Sequence, residues 1–324
     1  MNFEPFDRLP VVEWAPWWDK TVDRWQGEGL PADMDCTQID GYLGLDEYLM
    51  DWPCPRKPDY PTDLGEGLGP VGSMADYERI REQLYPTPAI DRQLWQTMAK
   101  RQAKGEAIAW LILDGAFWFP RKLLGIEKHL YSFYDQPELL HKINSDLAAW
   151  QLGVIEEVFS ICTPDIVSFE EDMSYNHGPM LSEQQFDDIV APYYAKVLPV
   201  LKGRGIVTIV DSDGDITKAA GWFERAGADG MLPLERQSGV DIAQIRAEHP
   251  KMKFIGGYDK MVMNKGVEAM RAEFERLLPV AAQGGFIVGC DHQTPPGVSF
   301  DDYKLYLELF REYADRAGQL SQSR

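Results

Sequence analysis

From Glu106 onward the chain alternates two patterns of hydrophobic positions. Short unbroken apolar runs, rich in Ile and Val, mark strands buried on both faces. The stretches between them repeat apolar residues every three or four positions, as amphipathic helices do. This predicts strands at 107–113, 166–169, 205–210, 230–234, 254–257 and 286–289. Helices are predicted at about 120–132, 136–160, 182–200, 216–226, 241–249, 267–279 and from 299 onward. The second opens at Gln136-Pro-Glu, with proline in its first turn, where a missing N–H costs nothing. Strand followed by helix, repeated in this way, predicts a parallel sheet, and the number of units fits an eight-fold α/β barrel. No Gly-x-Gly-x-x-Gly turn follows the first strand, which weakens a dinucleotide-binding alternative.

Ahead of these units the pattern is different. Trp14, Trp17, Trp18, Trp25 and Trp52 crowd among acids and prolines. The segment from Arg8 to Trp14 reads as a short strand leading into a helix. Residues 50–75, rich in Pro, Gly and Asp, read as a long loop, and helical periodicity follows at 73–84 and 90–104. The expected organisation is one barrel domain over residues 1–324, with a Trp-rich arm and loop (1–75) packed over its mouth. The tryptophans either cap a pocket or simply pack the arm onto the domain.

Composition narrows the function classes. The 324 residues carry a net charge of −20, so a phosphate backbone would be repelled and nucleic acid is excluded. The acidity serves solubility or offers a docking surface to a basic partner. No run approaches the length of a membrane span, and the first residues lack a basic segment followed by an apolar one. Four scattered cysteines (Cys36, Cys54, Cys162, Cys290) form no disulfide framework. A cytoplasmic location is therefore expected.

In α/β barrels the site lies at the carboxyl ends of the strands. Those ends read Asp114, then Glu170-Glu171-Asp172, then Asp211 and Asp213, then Glu235, Asp259, and Cys290 with His292. Nearly every strand end thus carries an acid, a thiol or an imidazole. Asp211-Ser-Asp-Gly-Asp superficially resembles a calcium loop, but Trp222 stands where the bidentate Glu would be needed. Asp215 reads as a helix cap, whereas two-residue alternation would point Asp211 and Asp213 the same way. Cys290 and His292 share that spacing. With carboxylates they form either a zinc set or a buried thiol beside a structural histidine. His177 lies on the loop after Glu171 and either reaches the same mouth or bonds the backbone. His129, His141 and His249 fall on helices and are expected at the surface.

Several segments are similar to the uroporphyrinogen decarboxylase superfamily. They are His177-Gly-Pro-Met-Leu-Ser, Asp211-Ser-Asp-Gly-Asp, Ala226-Gly-Ala-Asp-Gly-Met-Leu-Pro-Leu-Glu, Ile255-Gly-Gly-Tyr-Asp-Lys and Gly289-Cys-Asp-His-Gln-Thr-Pro-Pro, with Gly115-Ala-Phe-Trp-Phe-Pro-Arg-Lys beside them. The resemblance covers nearly the whole chain in order and spacing. It implies a (β/α)8 TIM barrel. It also implies either a cofactor-free decarboxylase or a zinc-dependent methyltransferase working with a corrinoid protein. The decarboxylase branch carries an arginine-rich stretch for its polycarboxylate substrate. Here that region reads Val11-Val-Glu-Trp-Ala-Pro-Trp-Trp-Asp-Lys, with acids in place of arginines, so the methyltransferase branch is the closer one. Its thiol-activating members carry His-x-Cys where this chain has Asp211-Ser-Asp213, while their later Cys matches Cys290.

The resemblance therefore implies metal ligands among Glu171, Asp172, Asp213, Cys290 and His292, with zinc as the metal. Asp211, Glu235, Asp259 and His177 are left as catalytic candidates. The expected activity is transfer of a methyl group from a small methoxylated or methylated compound to a corrinoid carried by a partner protein. The alternatives are a metal-free decarboxylase acting on another acid, and a non-enzymatic protein that keeps the barrel to bind a ligand.

Overall fold

The computed structural model describes residues 1–15, 17–60 and 67–324. Its strands in chain order are β1 (Tyr48–Asp51), β2 (Ile108–Asp114), β3 (Ile166–Glu170), β4 (Ser174–Tyr175), β5 (Gly178–Pro179), β6 (Val207–Asp211), β7 (Gly230–Leu232), β8 (Lys253–Tyr258) and β9 (Phe286–Cys290). Seven of them form one parallel sheet in the order β1-β2-β3-β6-β7-β8-β9, and β4 with β5 makes a small antiparallel hairpin. The sheet curls on itself. Trp110, Ile112, Ile166, Ile209, Leu232 and Ile255 meet in one inner cluster, which Tyr48 of β1 and Ile287 of β9 join from the two edges. The opposite faces of the same strands pack into the larger core shared with the helices.

The expected eight-fold barrel is thus a curled sheet of seven strands among the described residues. The edges β9 and β1 do not pair. Residues 9–15 run extended between them without joining a ladder, although the sequence suggested a short strand there. Pro10 has no N–H to give a neighbour, and side chains make most of the connections instead. β1 itself was hidden: Tyr48-Leu-Met-Asp borders the loop predicted over 50–75, part of which (61–66) lies outside the described residues.

Elsewhere the predicted elements form with shifted ends. The helix expected at 120–132 is two, Trp118–Leu124 and Ile126–Asp135. Gly125 breaks it: its φ is +81°, and a Cβ there would lie 2.3 Å from the Gly67 carbonyl. The next helix, Pro137–Phe159, starts on its proline as predicted, and the last, Phe300–Gln322, crosses the seam of the sheet. Among the described residues no helix is long and apolar enough to cross a membrane.

His129 corrects a prediction. It is fully buried rather than at the surface, edge-on to Phe117 at 4.5 Å and near Phe133 at 5.2 Å. Neither ring nitrogen has a hydrogen-bond partner. Burial pushes its pKa down to about 3, so the ring stays neutral. Removing an unsatisfied polar group while keeping the aromatic shape stabilises, so His129→Phe is expected to gain roughly 1–2 kcal/mol in urea unfolding at pH 7.

Candidate active site

Three acids stand side by side at the floor of the site. Asp114, Glu170 and Asp211 each end a strand, and the ladder register places Asp114 beside Glu170 and Glu170 beside Asp211. Each follows the inward parity of its strand, after Trp110 and Ile112, Ile166 and Ser168, and Val207 and Ile209. Neighbouring strands lie about 4.8 Å apart, so the carboxyls are close. Beneath them is the apolar inner cluster. Like charges at that spacing, over a floor that cannot solvate them, cannot all ionise.

The proton balance follows. Burial raises Asp211 well above the ordinary carboxyl range, and its neighbour Glu170 raises it further. Burial brings Glu170 to about 7, partly offset by its hydrogen bond with Asp211. Burial also raises Asp114, against the pull of Lys122. Asp114 accepts from Trp52 Nε1 at 3.0 Å and Lys122 Nζ at 3.4 Å. The Lys122 ammonium itself lies 5.1 Å from the Trp52 ring and 4.7 Å from the Trp118 ring, a cation held between two aromatic faces.

Above the floor opens a cavity of about 230 Å³ lined in part by Trp14 and Trp118. Glu170, Asp172, Asp211, Asp213 and His292 face it. Asp172 follows β3 at φ +43°, a left-handed conformation that Asp tolerates better than most residues. Arg121 holds that turn by donating to the Asp172 carbonyl at 2.9 Å and to its carboxylate at 2.8 Å, and stacks 4.5 Å from the Trp118 ring. Asp213 lies 3.7 Å from His292 Nε2. Burial, then Glu235 and Asp172, bring Asp213 to about 7. Burial, then Lys260, lower His292, so its ring is neutral at pH 7. The site can therefore hold and deliver protons at neutral pH.

The structure gathers only part of the predicted set. Asp211, Asp213, Asp172 and His292 line the cavity. Glu235 stands just outside it, accepting from Gly214 N at 2.9 Å and lying 3.6 Å from Lys260 Nζ, so it orders the loop after β6. Asp259 is elsewhere: it caps the short helix Lys260–Lys265 through Met261 N at 2.8 Å. His177 is exposed at the turn of the β4–β5 hairpin, edge-on to Tyr175. Asp215 accepts from Thr217 N at 3.0 Å one residue ahead of the helix, whose N-cap is Ile216 rather than Asp215 as expected.

Glu171 points the other way from Glu170. It is fully buried and accepts from the amides of Ala116, Phe117 and Trp118 and from the Tyr194 hydroxyl, which secures the start of the helix Trp118–Leu124. Burial brings its pKa to about 7 while these bonds pull it down. The packing is tight: a Cβ on Gly115 would sit 2.2 Å from the Glu171 carboxyl carbon and 2.6 Å from the Glu170 carbonyl. Gly115→Ala is expected to cost roughly 1–3 kcal/mol in denaturant unfolding, because both neighbours must move.

Cys290 is also turned away. On β9 the inward residues are Ile287 and Gly289, so Cys290 shares the outward face with Val288 and lies buried in the helix layer. Its thiol is 3.7 Å from Thr294 Oγ1, and burial raises its pKa well above the usual thiol value. The zinc set implied by the resemblance therefore does not fit. Glu171 and Cys290 face away from Asp172, Asp213 and His292, and among the described residues no three His, Cys, Asp or Glu side chains group to hold a metal ion.

Sequence reasoning named Glu170 as a strand-end acid but gave it no role, and it gave none to Trp118, Arg121, Lys122 and Lys260. Inward parity after Ile166 and Ser168 was the available signal for Glu170. For Trp118, Arg121, Lys122 and Lys260 the signal was their place in the segments 115–122 and 255–260 that carry the resemblance.

Comparison with solved structures gives the same architecture. A methyltransferase from Methanosarcina mazei superposes with a TM-score of 0.66 at 12% identity, covering 95% of each chain. A B12-independent methionine synthase from Shewanella sp. W3-18-1 gives 0.44 at 14% identity, over 97% of this chain and 93% of that one. No curated protein matches by sequence. The sequence profile described as uroporphyrinogen decarboxylase (URO-D) matches residues 97–313, well over half of the chain, and the protein belongs to that family.

Proposed function

We propose that the chain is a methyltransferase that takes a methyl group from a small methoxylated or methylated compound and passes it to a corrinoid carried by a partner protein. One observation carries this reading: the Asp211–Glu170 pair keeps a proton at the base of a small cavity at neutral pH. Breaking a methyl–oxygen bond leaves an oxygen anion, and that anion needs an acid. Asp211 gives its proton to the leaving oxygen as the methyl carbon moves to the acceptor, and the demethylated alcohol or phenol departs. Glu170, hydrogen-bonded to Asp211, supplies the replacement proton. The Trp14 and Trp118 rings hold the compound and keep water out. The fold shared with a methyltransferase agrees with this reading.

A decarboxylase reading follows from the family's description, since the same acid could protonate carbon after CO2 leaves. The segment Val11-Val-Glu-Trp-Ala-Pro-Trp-Trp-Asp-Lys disfavours it, because it offers acids where a substrate rich in carboxylates needs arginines.

The test is incubation with a methoxylated aromatic compound and chemically reduced cobalamin. Demethylated product and methylated cobalamin in equal amounts are expected. Release of CO2 from a carboxylic acid without any corrinoid would overturn the proposal in favour of the decarboxylase.

A further inference from the structure

The open seam between β9 and β1 is closed by side chains. A strand in that gap would offer its backbone to the N–H and C=O of Cys290. Instead Glu13 Oε2 accepts the Cys290 N–H at 3.1 Å, and Trp14 Nε1 donates to the Cys290 carbonyl at 2.7 Å. On the β1 side the Tyr48 hydroxyl donates to the carbonyls of Glu13 (2.8 Å) and Trp14 (3.1 Å), and Asp46 N donates to the Val11 carbonyl at 2.9 Å. The second oxygen of Glu13 accepts from the Tyr306 hydroxyl at 2.6 Å, on the last helix. Glu13 is only 3% exposed and Cys290 1%. Sheet edges left unpaired demand such cover.

We infer that Glu13 is the positioning residue of the pocket: with Trp14 it grips the Cys290 main chain, fixes the Trp14 wall over the acids, and holds the Cys290 thiol in the helix layer, where it is no metal ligand. A buried carboxyl whose two oxygens both accept bonds has little freedom, so its neighbour Trp14 has little either. The chain thus uses the Cys290 position to close the barrel.

The test isolates Cys290 by changing Cys36, Cys54 and Cys162 to Ser, and times its reaction with a thiol reagent. In this background Cys290 is expected to react only on unfolding. Glu13→Ala should speed its reaction at least about ten-fold with the circular dichroism unchanged, because access controls thiol reactivity. Glu13→Gln, which can still accept from Cys290 N, should restore most of the protection. Elemental analysis forms the second arm: Cys290→Ala should hold the same zinc per chain as its parent. Equal reactivity in Glu13→Ala and its parent, or stoichiometric zinc lost on Cys290→Ala, would overturn the inference. If Glu13→Ala fails to fold, Trp14→Phe, which removes the other bond to the Cys290 main chain, takes its place in the reactivity test with the same expected and overturning results. Neither readout needs a substrate, so failure here is separate from failure of the methyl-transfer reading.

Discussion

Asp211→Asn is expected to lower the turnover of methyl transfer by about a hundred-fold or more, the usual contribution of a general acid. Asparagine keeps the size of the side chain and cannot supply the proton. Initial rates with saturating methyl donor and acceptor measure it. The Michaelis constant for the donor should change much less, because the Trp14 and Trp118 walls remain. The pH profile is the stronger check. The acid must be protonated to act, and Glu170, which resupplies the Asp211 proton, titrates at about 7. Turnover should therefore hold below neutrality and fall as pH rises through about 7 to 8. A rate that climbs with pH would make a carboxylate the working form, and would sink the proton-donor role. Asp259→Asn serves as the control, since that side chain caps a helix away from the cavity and should leave the rate nearly unchanged.

The second large effect runs the other way. Glu170→Gln should slow the reaction yet stabilise the protein at pH 8. The native carboxyl titrates at about 7, above its ordinary 4.5. Below about pH 4.5 both folded and unfolded chains carry the proton and nothing is lost. As pH rises from there to about 7, the unfolded chain ionises first, so stability falls. Above 7 the loss is complete, and it amounts to roughly 3 kcal/mol for a shift of this size. Glutamine removes the charge, so the variant should melt roughly 5 °C above the parent at pH 8 and close to it near pH 4. Calorimetry at both pH values measures this. An equal Tm at pH 8 would mean that the acids are already compensated. Such a trade of stability for chemistry is common where like charges are forced together.

Much of the fold was legible because burial leaves a periodic record. Six of the seven sheet strands were continuous apolar runs, which nothing but a doubly covered sheet requires. β1 was not, because Tyr48-Leu-Met-Asp is short, only partly buried, and set among acids and prolines. The segment from Arg8 to Trp14, read as a short strand, joins no ladder and makes most of its connections through side chains. The site was legible as a zone rather than as a list. Strand ends marked Asp211, Asp213, Asp172 and His292. Choosing between neighbours needed parity, which inner-cluster membership supplies. It selects Glu170 over Glu171, and sets Cys290 on the outward face although its two-residue spacing from His292 suggested a shared one. Arg121, Lys122 and Trp118 belong to a helix that follows β2, and only the curl of the sheet brings them over the acids.

The bond between Glu13 and Tyr306 joins residues 293 positions apart, and the Leu9 amide donates to the Ala314 carbonyl at 3.2 Å. On a ribosome the pocket's first wall is therefore made at the beginning and cannot be fastened until the last helix emerges. From the moment Asp211 emerges until the last helix folds, the acid row stands without a fastened Trp14 cover, open to water and free to ionise. The burial that raises its pKa values comes only when the two ends of the chain meet. Closing so long a loop is slow, so proton uptake by the acid row should be among the latest events of folding.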